Sequence, residues 1–379
     1  MVDTMEQRTF AETNEKVSLL GFGLMRLPRL NPDKPDIDEV LAANMLDYAY
    51  RHGVNYFDTA YPYHEGLSER FVGKALSKYP RESFFLADKM PIWEVEGGKS
   101  AESIFEEQLE KCNVEYFDFY LCHAMNRDRI EALTKYGIYA YLSEQKKSGR
   151  IRHLGFSFHD SPEVLEQLLS SFEFDFVQLQ LNYLDWEMQD AKKQYEICKA
   201  HGKQVIIMEP CRGGTLADLG DDVNAIFKRA RGDKSVPSWA FRYAGSLENV
   251  LCVLSGMTVM EHVIDNVSTF ENFEPLTDGD RKTIDEALSL YRKTVIVPCT
   301  GCRYCMDCPM GVDIPAVFRI YNRSKFTHRD GLLKEELDRL EEGKRPNHCI
   351  SCRKCMKHCP QKIEIPVRMA EIEKLYRKN

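Results

Sequence analysis

Four side chains able to bind or move a proton stand at or just past the ends of three successive apolar runs. Asp58 lies near the end of NYFDTA with Tyr63 five residues on, Lys89 ends FFLADK, and His123 ends FDFYLCH. A single histidine in such a place is more often a structural hydrogen-bonder, and a single lysine a snorkelling surface group. A carboxylate, a phenol, an ammonium and an imidazole on consecutive run ends read instead as one acid–base site. Sulfur is the second concentration. Of 13 cysteines, Cys112, Cys122, Cys198, Cys211 and Cys252 are scattered, while eight crowd between Cys299 and Cys359. Those eight form Cys299-x2-Cys302-x2-Cys305-x2-Cys308-Pro309 and Cys349-x2-Cys352-x2-Cys355-x3-Cys359-Pro360. A secreted disulfide framework is one reading of eight cysteines, but the opening MVDTMEQRTFAETNEK is polar and acidic, unlike an export signal, so metal or cluster ligation is favoured. Zinc sites of four thiolates are the bland alternative. Zinc ribbons, however, usually offer separated CxxC pairs, not four cysteines packed together and ended by proline.

The elements that must position these groups are short apolar runs alternating with amphipathic helical stretches. Strands are expected at 18–27, 55–60, 84–89, 117–123, 151–157, 176–182, 204–210 and 250–256. Between them lie segments such as IDEVLAANMLDYAYRHG and SPEVLEQLLSSF; in the second, Ser161, Pro162 and Glu163 suit an N-cap, the first helical position and the first turn. Eight strands alternating with helices predict an α/β chain folded as a (β/α)8 TIM barrel, whose chemistry sits at the C-terminal strand ends. An open doubly wound sheet competes, but no GxGxxG follows a strand. QRTFAETNEKVS, before the first strand, suits a hairpin closing the barrel bottom. The pattern changes near Val297, so residues 1–295 are expected to form the barrel and 296–379 a small, mainly helical cysteine domain, with DGLLKEELDRLEEG as a helix between its two runs. The net charge of −8, from 51 basic and 59 acidic residues, argues against a nucleic-acid binder. No apolar run reaches the roughly 18 residues a membrane span needs. A cytoplasmic protein is expected.

Residues 16–290 resemble the aldo-keto reductase family, through Asp58-Thr59-Ala60-Tyr61-Pro62-Tyr63 followed by Ser68-Glu69. GFS at 155–157 and the stretch from Gln178 to Asn182 match further strand ends of that family. The resemblance implies a catalytic tetrad of Asp58, Tyr63, Lys89 and His123, an aldehyde, ketone or alcohol as substrate, and NADP, or else NAD, as hydride carrier. A free tyrosine has a pKa near 10, and Lys89, held by Asp58, is expected to lower that of Tyr63; His123 would orient the carbonyl. Ser157 and Gln178 would bond the nicotinamide carboxamide. The chain also departs from the family pattern. Phe158 replaces an asparagine that commonly follows the strand-five serine, and Met208 stands where a tyrosine often stacks on the ring. Ser255, Gly256 and Met257, with His262 and Asn266 beyond them, occupy the region where a Lys-Ser pair and a later arginine often clamp a 2′-phosphate. Arg212, beside Gly213 and Gly214, is a candidate for the pyrophosphate.

The second cysteine run matches that of bacterial ferredoxins, and the first is that run shortened by one residue. The resemblance implies two 4Fe–4S clusters, with the fourth cysteine of each run turned to the neighbouring cluster. Cys299, Cys302, Cys305 and Cys359 would hold one; Cys349, Cys352, Cys355 and Cys308 the other. GVDIP at 311–315 and KIEIP at 362–366 repeat after each Cys-Pro, which suggests pseudo-twofold organisation. The expected whole is a nicotinamide-dependent oxidoreductase that passes electrons to or from a partner protein. Nicotinamide exchanges two electrons at once and each cluster one, so a flavin mediator is not excluded. The alternative is a redox-sensing or electron-carrier subunit whose barrel binds nucleotide with little turnover; a purely structural barrel ranks last. Trp93, Trp186 and Tyr61 suit either a substrate pocket or packing.

Overall fold

The computed structural model describes residues 4–31, 34–292, 297–326 and 331–378. The chain opens with an antiparallel hairpin of β1 (Gln7–Thr9) and β2 (Lys16–Ser18). Eight parallel strands follow: β3 (Leu20–Gly23), β4 (Tyr56–Asp58), β5 (Phe85–Met90), β6 (Phe117–Met125), β7 (Ile151–Phe158), β8 (Phe176–Gln180), β9 (Gln204–Met208) and β10 (Val250–Gly256). They pair in sequence order, and β10 closes on β3 to complete a barrel. The (β/α)8 architecture expected from the alternation is therefore the observed one. The first strand is shorter than expected: pairing of β3 to both neighbours ends at Gly23, and Leu24–Arg26 turns as a short 3-10 helix.

Inside the barrel, Tyr56, Ala87, Phe119, Leu121, Phe176, Ile206, Cys252 and Leu254 form one buried cluster, which Phe10 of the hairpin joins. Phe10 lies 5.5 Å from Phe119, and Phe119 lies 5.0 Å from Tyr56 and 5.1 Å from Phe176. The hairpin thus plugs the barrel with an aromatic layer. Gly21 is needed there, because a Cβ would come within 2.6 Å of Cys252 Sγ. The helices begin where the sequence supplies caps. Asp38 accepts from Leu41 N (3.0 Å) to start Glu39–Arg51, and Ser100 accepts from Ser103 N (3.0 Å) to start Ala101–Cys112. Pro162 takes the first helical position of Pro162–Ser171, after Ser161, whose side chain makes no capping bond.

By internal packing, the chain separates into Met1–Pro210 with Ser238–Leu276, which carries the barrel strands, and Cys211–Pro237 with Thr277–Asn379. The domain boundary expected near 295 falls on 293–296, outside the described residues. In the second unit, helix Asp278–Tyr291 starts with a capping box between Thr277 and Asp280, and Arg231 grips Asp280 at 2.9 and 3.0 Å. Helices Ile314–Phe326, Leu332–Asp338 and Ile365–Lys378 pack around Val317, Phe318, Leu337, Met369 and Ile372. The expected helix over DGLLKEELDRLEEG is α-helical over Leu332–Asp338, with Glu342–Lys344 as a short 3-10 turn. Among the described residues, no helix is long and apolar enough to cross a membrane.

Candidate active site and cluster-binding cysteines

The C-terminal strand ends bring the four expected acid–base residues together. Lys89, near the end of β5, is fully buried, and its Nζ donates to Asp58 Oδ1 at 2.6 Å and to the Thr59 carbonyl at 2.7 Å. The Tyr63 hydroxyl lies 3.5 Å from the same nitrogen. Gln178 Nε2, on β8, donates to Asp58 Oδ2 at 3.1 Å, so the carboxylate is fixed from both sides. His123 is buried on β6, its ring edge-on to Tyr63 with centroids 6.1 Å apart and 5.1 Å from the ring of Trp93. Its Nδ1 is buried without a hydrogen-bond partner. Left-handed backbone clusters here: His64 and Glu65 (φ 51° and 55°) follow Tyr63, and Ala124 (φ 54°) follows His123. Non-glycine residues held in that region cost about 1–3 kcal/mol each and gather at functional sites.

Electrostatics corrects one expectation. Tyr63 is not made more acidic by Lys89: burial, reinforced by Asp58, Glu209 and Asp88, pushes its pKa well above the ordinary tyrosine value, with Arg26 opposing. The reason is that Asp58 already pairs with the ammonium, so little net positive charge is left to favour a phenolate. Burial also drives the His123 pKa well below the usual imidazole value, helped by Lys89, Arg129 and His159. Both groups are therefore neutral at neutral pH: a phenol that keeps its proton beside an uncharged imidazole.

The expected nucleotide contacts divide. Ser157 and Gln178 are direct neighbours across β7 and β8. Ser157 Oγ accepts from Ala124 N at 2.7 Å, and its own proton finds no acceptor among the described residues. Phe158 is buried at the end of β7, and Met208 ends β9. Asn266 Nδ2 donates to Ser255 Oγ at 2.9 Å, Met257 is buried, and His262 Nδ1 accepts from Thr258 N at 3.3 Å. Arg212 lies in the other unit, buried, donating to the Pro298 carbonyl at 3.2 Å just ahead of Cys299. Trp186 packs 5.8 Å from Tyr195 and 5.9 Å from Tyr243, while the Tyr61 hydroxyl accepts from Lys99 at 2.7 Å.

Sequence reading missed an ion pair and a buried network. Arg26 meets Glu209 at 3.3 Å, and a Cβ on Gly256 would come within 3.1 Å of the Arg26 side chain. Arg26 fell inside a run read as strand, so its position just past the end of β3 was hidden. Behind Lys89, Gln108 Nε2 donates to the Lys89 carbonyl and to Glu69 Oε1, both at 3.0 Å, and Gln108 Oε1 accepts from Tyr120 at 2.5 Å. Lys111 closes the network on Glu69 at 3.0 Å. Nothing in a helical glutamine announces such a role.

In the second unit the two cysteine runs fold alike. Arg303 and Arg353 are both left-handed (φ 67° and 61°), and each carbonyl accepts from a methionine N three residues on, at 3.0 and 3.1 Å. Gly311 N and Lys362 N bond back to Cys308 O and Cys359 O at 2.9 and 3.1 Å, and helices then start at Ile314 and Ile365. The GVDIP and KIEIP echo is thus a structural repeat. The thiols also sort into two sets. Those acting electrostatically on Cys305 are Cys302, Cys299 and Cys359, and those acting on Cys355 are Cys349, Cys308 and Cys352. Each set, three thiols of one run within electrostatic reach of one thiol of the other, has the donor chemistry a 4Fe–4S cluster takes, and Gly301 N donates to Cys299 Sγ at 3.4 Å. Among the described residues no group of three or more such side chains is drawn together tightly enough to hold a single metal ion.

Comparison with known proteins agrees. The Aldo/keto reductase family matches residues 19–289, and the 4Fe-4S dicluster domain matches residues 298–364. The NADH-specific methylglyoxal reductase of Escherichia coli is 26% identical over 325 residues, covering 74% of this chain and 98% of that protein. The L-galactose dehydrogenase of Arabidopsis thaliana is 26% identical over 303 residues, covering 74% of this chain and 93% of its own length. Among solved structures, an aldo-keto reductase of Bacillus halodurans in its holo form aligns with a TM-score of 0.59 at 26% identity, over 75% of this chain and 96% of that one. The chain belongs to the aldo/keto reductase family, as an oxidoreductase that carries a 4Fe–4S dicluster domain.

Proposed function

We propose that the barrel reduces an aldehyde or ketone to the alcohol, with Tyr63 as proton donor, using a nicotinamide dinucleotide. When bound, the dinucleotide supplies hydride to the carbonyl carbon. The Tyr63 hydroxyl donates a proton to the developing alkoxide, a role suited to a phenol whose burial keeps it protonated. Lys89 Nζ, 3.5 Å from that oxygen, stabilises the negative charge left on it, and Asp58 holds the ammonium in place. Neutral His123 orients the carbonyl by hydrogen bond, which gives its buried, unpartnered nitrogen a reason to exist. The observation carrying the reading is this one convergence of ammonium, carboxylate, phenol and imidazole.

Ser157 and Gln178 would bond the carboxamide, Met208 would pack on the ring, and Ser255, Gly256, Met257, His262 and Asn266 would face the adenosine end. NADP is the form the resemblance implies. No lysine or arginine stands at those five positions, so weak discrimination between NADPH and NADH is the expected behaviour. When bound, the two clusters each carry one electron, which makes the second unit an electron-transfer module. Cluster thiolates call for a reducing compartment, which accords with a cytoplasmic location.

The test is turnover of a carbonyl panel that includes methylglyoxal, under anaerobic conditions, with NADPH and with NADH. Tyr63→Phe should lower kcat by about 10²–10⁴-fold with nucleotide affinity unchanged. Wild type and variant equally slow on every carbonyl would overturn the reading.

A further inference from the structure

In the cysteine unit, the described large apolar side chains left exposed are Met310, Ile350 and Val367, at 39%, 60% and 49%. They are not scattered. Met310 and Ile350 line one small hollow together with Cys308, Cys349, Cys352 and Cys355, and Pro366, beside Val367, completes its wall. Cys352 is itself exposed, whereas none of Cys299, Cys302, Cys305 and Cys359 is. Two of the three exposed apolar side chains of this unit are therefore gathered at one of the two thiol sets.

Charge around the hollow has one dominant sign. From Ile350 to Lys362 the chain carries Arg353, Lys354, Lys357 and Lys362 and no carboxylate. Arg353 lines the hollow itself, and Lys357 is exposed. The nearby acids are Asp307, which meets Lys354 at 3.5 Å and His358 at 3.7 Å, half-buried Asp313, which lies between the lining residues Val312 and Ile314 and meets Arg303 at 3.4 Å, and exposed Glu364. On a chain whose net charge is −8, this is a local cationic rim about an apolar centre. Such a layout steers and orients an acidic partner, and an apolar centre within a charged rim is how protein interfaces are commonly arranged.

We propose that this face docks an acidic one-electron carrier protein, and that electrons enter or leave the chain through the cluster held by Cys308, Cys349, Cys352 and Cys355. In each encounter one electron passes between carrier and cluster, one reduced as the other is oxidised, with no proton or bond changing hands. The inference rests on the cysteine unit binding clusters, as set out above.

The experiment uses the full, cluster-loaded protein and, as probe, a reduced plant-type 2Fe–2S ferredoxin with an acidic surface. Cluster reduction is followed by stopped-flow absorbance, with photoreduced deazaflavin as a small reductant that needs no docking face. For wild type, the rate constant with ferredoxin should fall steeply with salt. Arg353→Glu/Lys357→Glu should lower it about tenfold or more at low salt, and Ile350→Ser should lower it severalfold at any salt. Lys192→Glu, an exposed change on the barrel unit, should leave it unaltered. Because Ile350 and Arg353 line the hollow with the cluster cysteines, each rate with ferredoxin is divided by the same protein's rate with deazaflavin at matched iron content, so that a change in the cluster itself cancels. Equal ferredoxin rates in wild type and both rim variants would overturn the docking face while leaving the clusters standing. The same result with rim-dependent sedimentation on phosphatidylglycerol vesicles would reassign the face to a membrane. Absence of iron and sulfide would overturn the cluster reading and this inference together.

Discussion

Replacing both partners of the Lys89–Asp58 pair is expected to destabilise the barrel by well under the sum of the two single replacements. The charged atoms stand 2.6 Å apart, on side chains 1% and 4% exposed. At an effective dielectric of about 20 their gross attraction is roughly 6 kcal/mol. Removing one member of a buried pair costs about 3–5 kcal/mol, because the survivor stays buried without its counter-charge. Lys89→Met should fall at the upper end, since the Asp58 carboxylate then keeps only Gln178 Nε2 at 3.1 Å. Asp58→Asn should fall lower, since the ammonium retains the Thr59 carbonyl at 2.7 Å and gains an amide oxygen. The double variant should lose less than the sum of the singles by about 3 kcal/mol. Trp93, Trp186 and Trp239, the chain's three tryptophans, all lie in the barrel unit, so their fluorescence reports its unfolding while visible absorbance follows the clusters. At about 2–4 °C per kcal/mol, each single variant should lower the fluorescence midpoint by roughly 6–20 °C, and the double by about as much as the more damaging single rather than by the two shifts added. Losses additive to within about 0.5 kcal/mol would refute the coupling, and with it the reason given for the weakly acidic Tyr63.

Three further outcomes follow from the same geometry. His123 has a depressed pKa in the fold, so its stabilising share is present above about pH 6.5 and lost as pH falls toward the folded value. His159, pushed down to about 4, and His64 act with the same sign, so His123→Gln should flatten the acid limb of a midpoint-against-pH curve only in part, and an unchanged limb would contradict it. His262→Arg should raise the NADPH-over-NADH ratio of kcat/KM by up to about tenfold, roughly 1.4 kcal/mol, and an unchanged ratio would remove His262 from the phosphate site. Finally, Cys305→Ser and Cys359→Ser should abolish the same cluster signal in electron paramagnetic resonance, and Cys355→Ser and Cys308→Ser the other. Loss sorted by run instead would refute the crossing of the fourth ligands.

The barrel was legible because each strand is a short apolar run between amphipathic helices, and the run at 250–256 coincides with β10 to the residue. The run ends sufficed to group Asp58, Lys89 and His123, since the parallel strands of a closed barrel deliver their C-terminal ends to one face. What stayed hidden was set by packing between distant segments. Gln108 reaches the Lys89 carbonyl from 19 residues away, and Arg26 pairs with Glu209 across 183. The protonation of Tyr63 was misread for a related reason. Sequence shows which charges are near in kind but not that Asp58 neutralises Lys89 at contact distance. Arg212 likewise reads as a loop cation, and only its bond to the Pro298 carbonyl reveals a tie within the cysteine unit.

The exchange of Cys308 and Cys359 between the two thiol sets bears on how this unit is made. If each cluster draws three thiols from one run and one from the other, neither would have its full complement until both runs have met. The 40 residues between Cys308 and Cys349, helices included, would then become a loop closed by the one cluster that holds both cysteines. Metal delivery and chain folding would cease to be separate events: filling the first site would pre-position the second, and stripping iron from either would loosen both. In cells short of iron, such a module would be lost as a whole rather than by halves, leaving a population of barrels with either a complete electron relay or none.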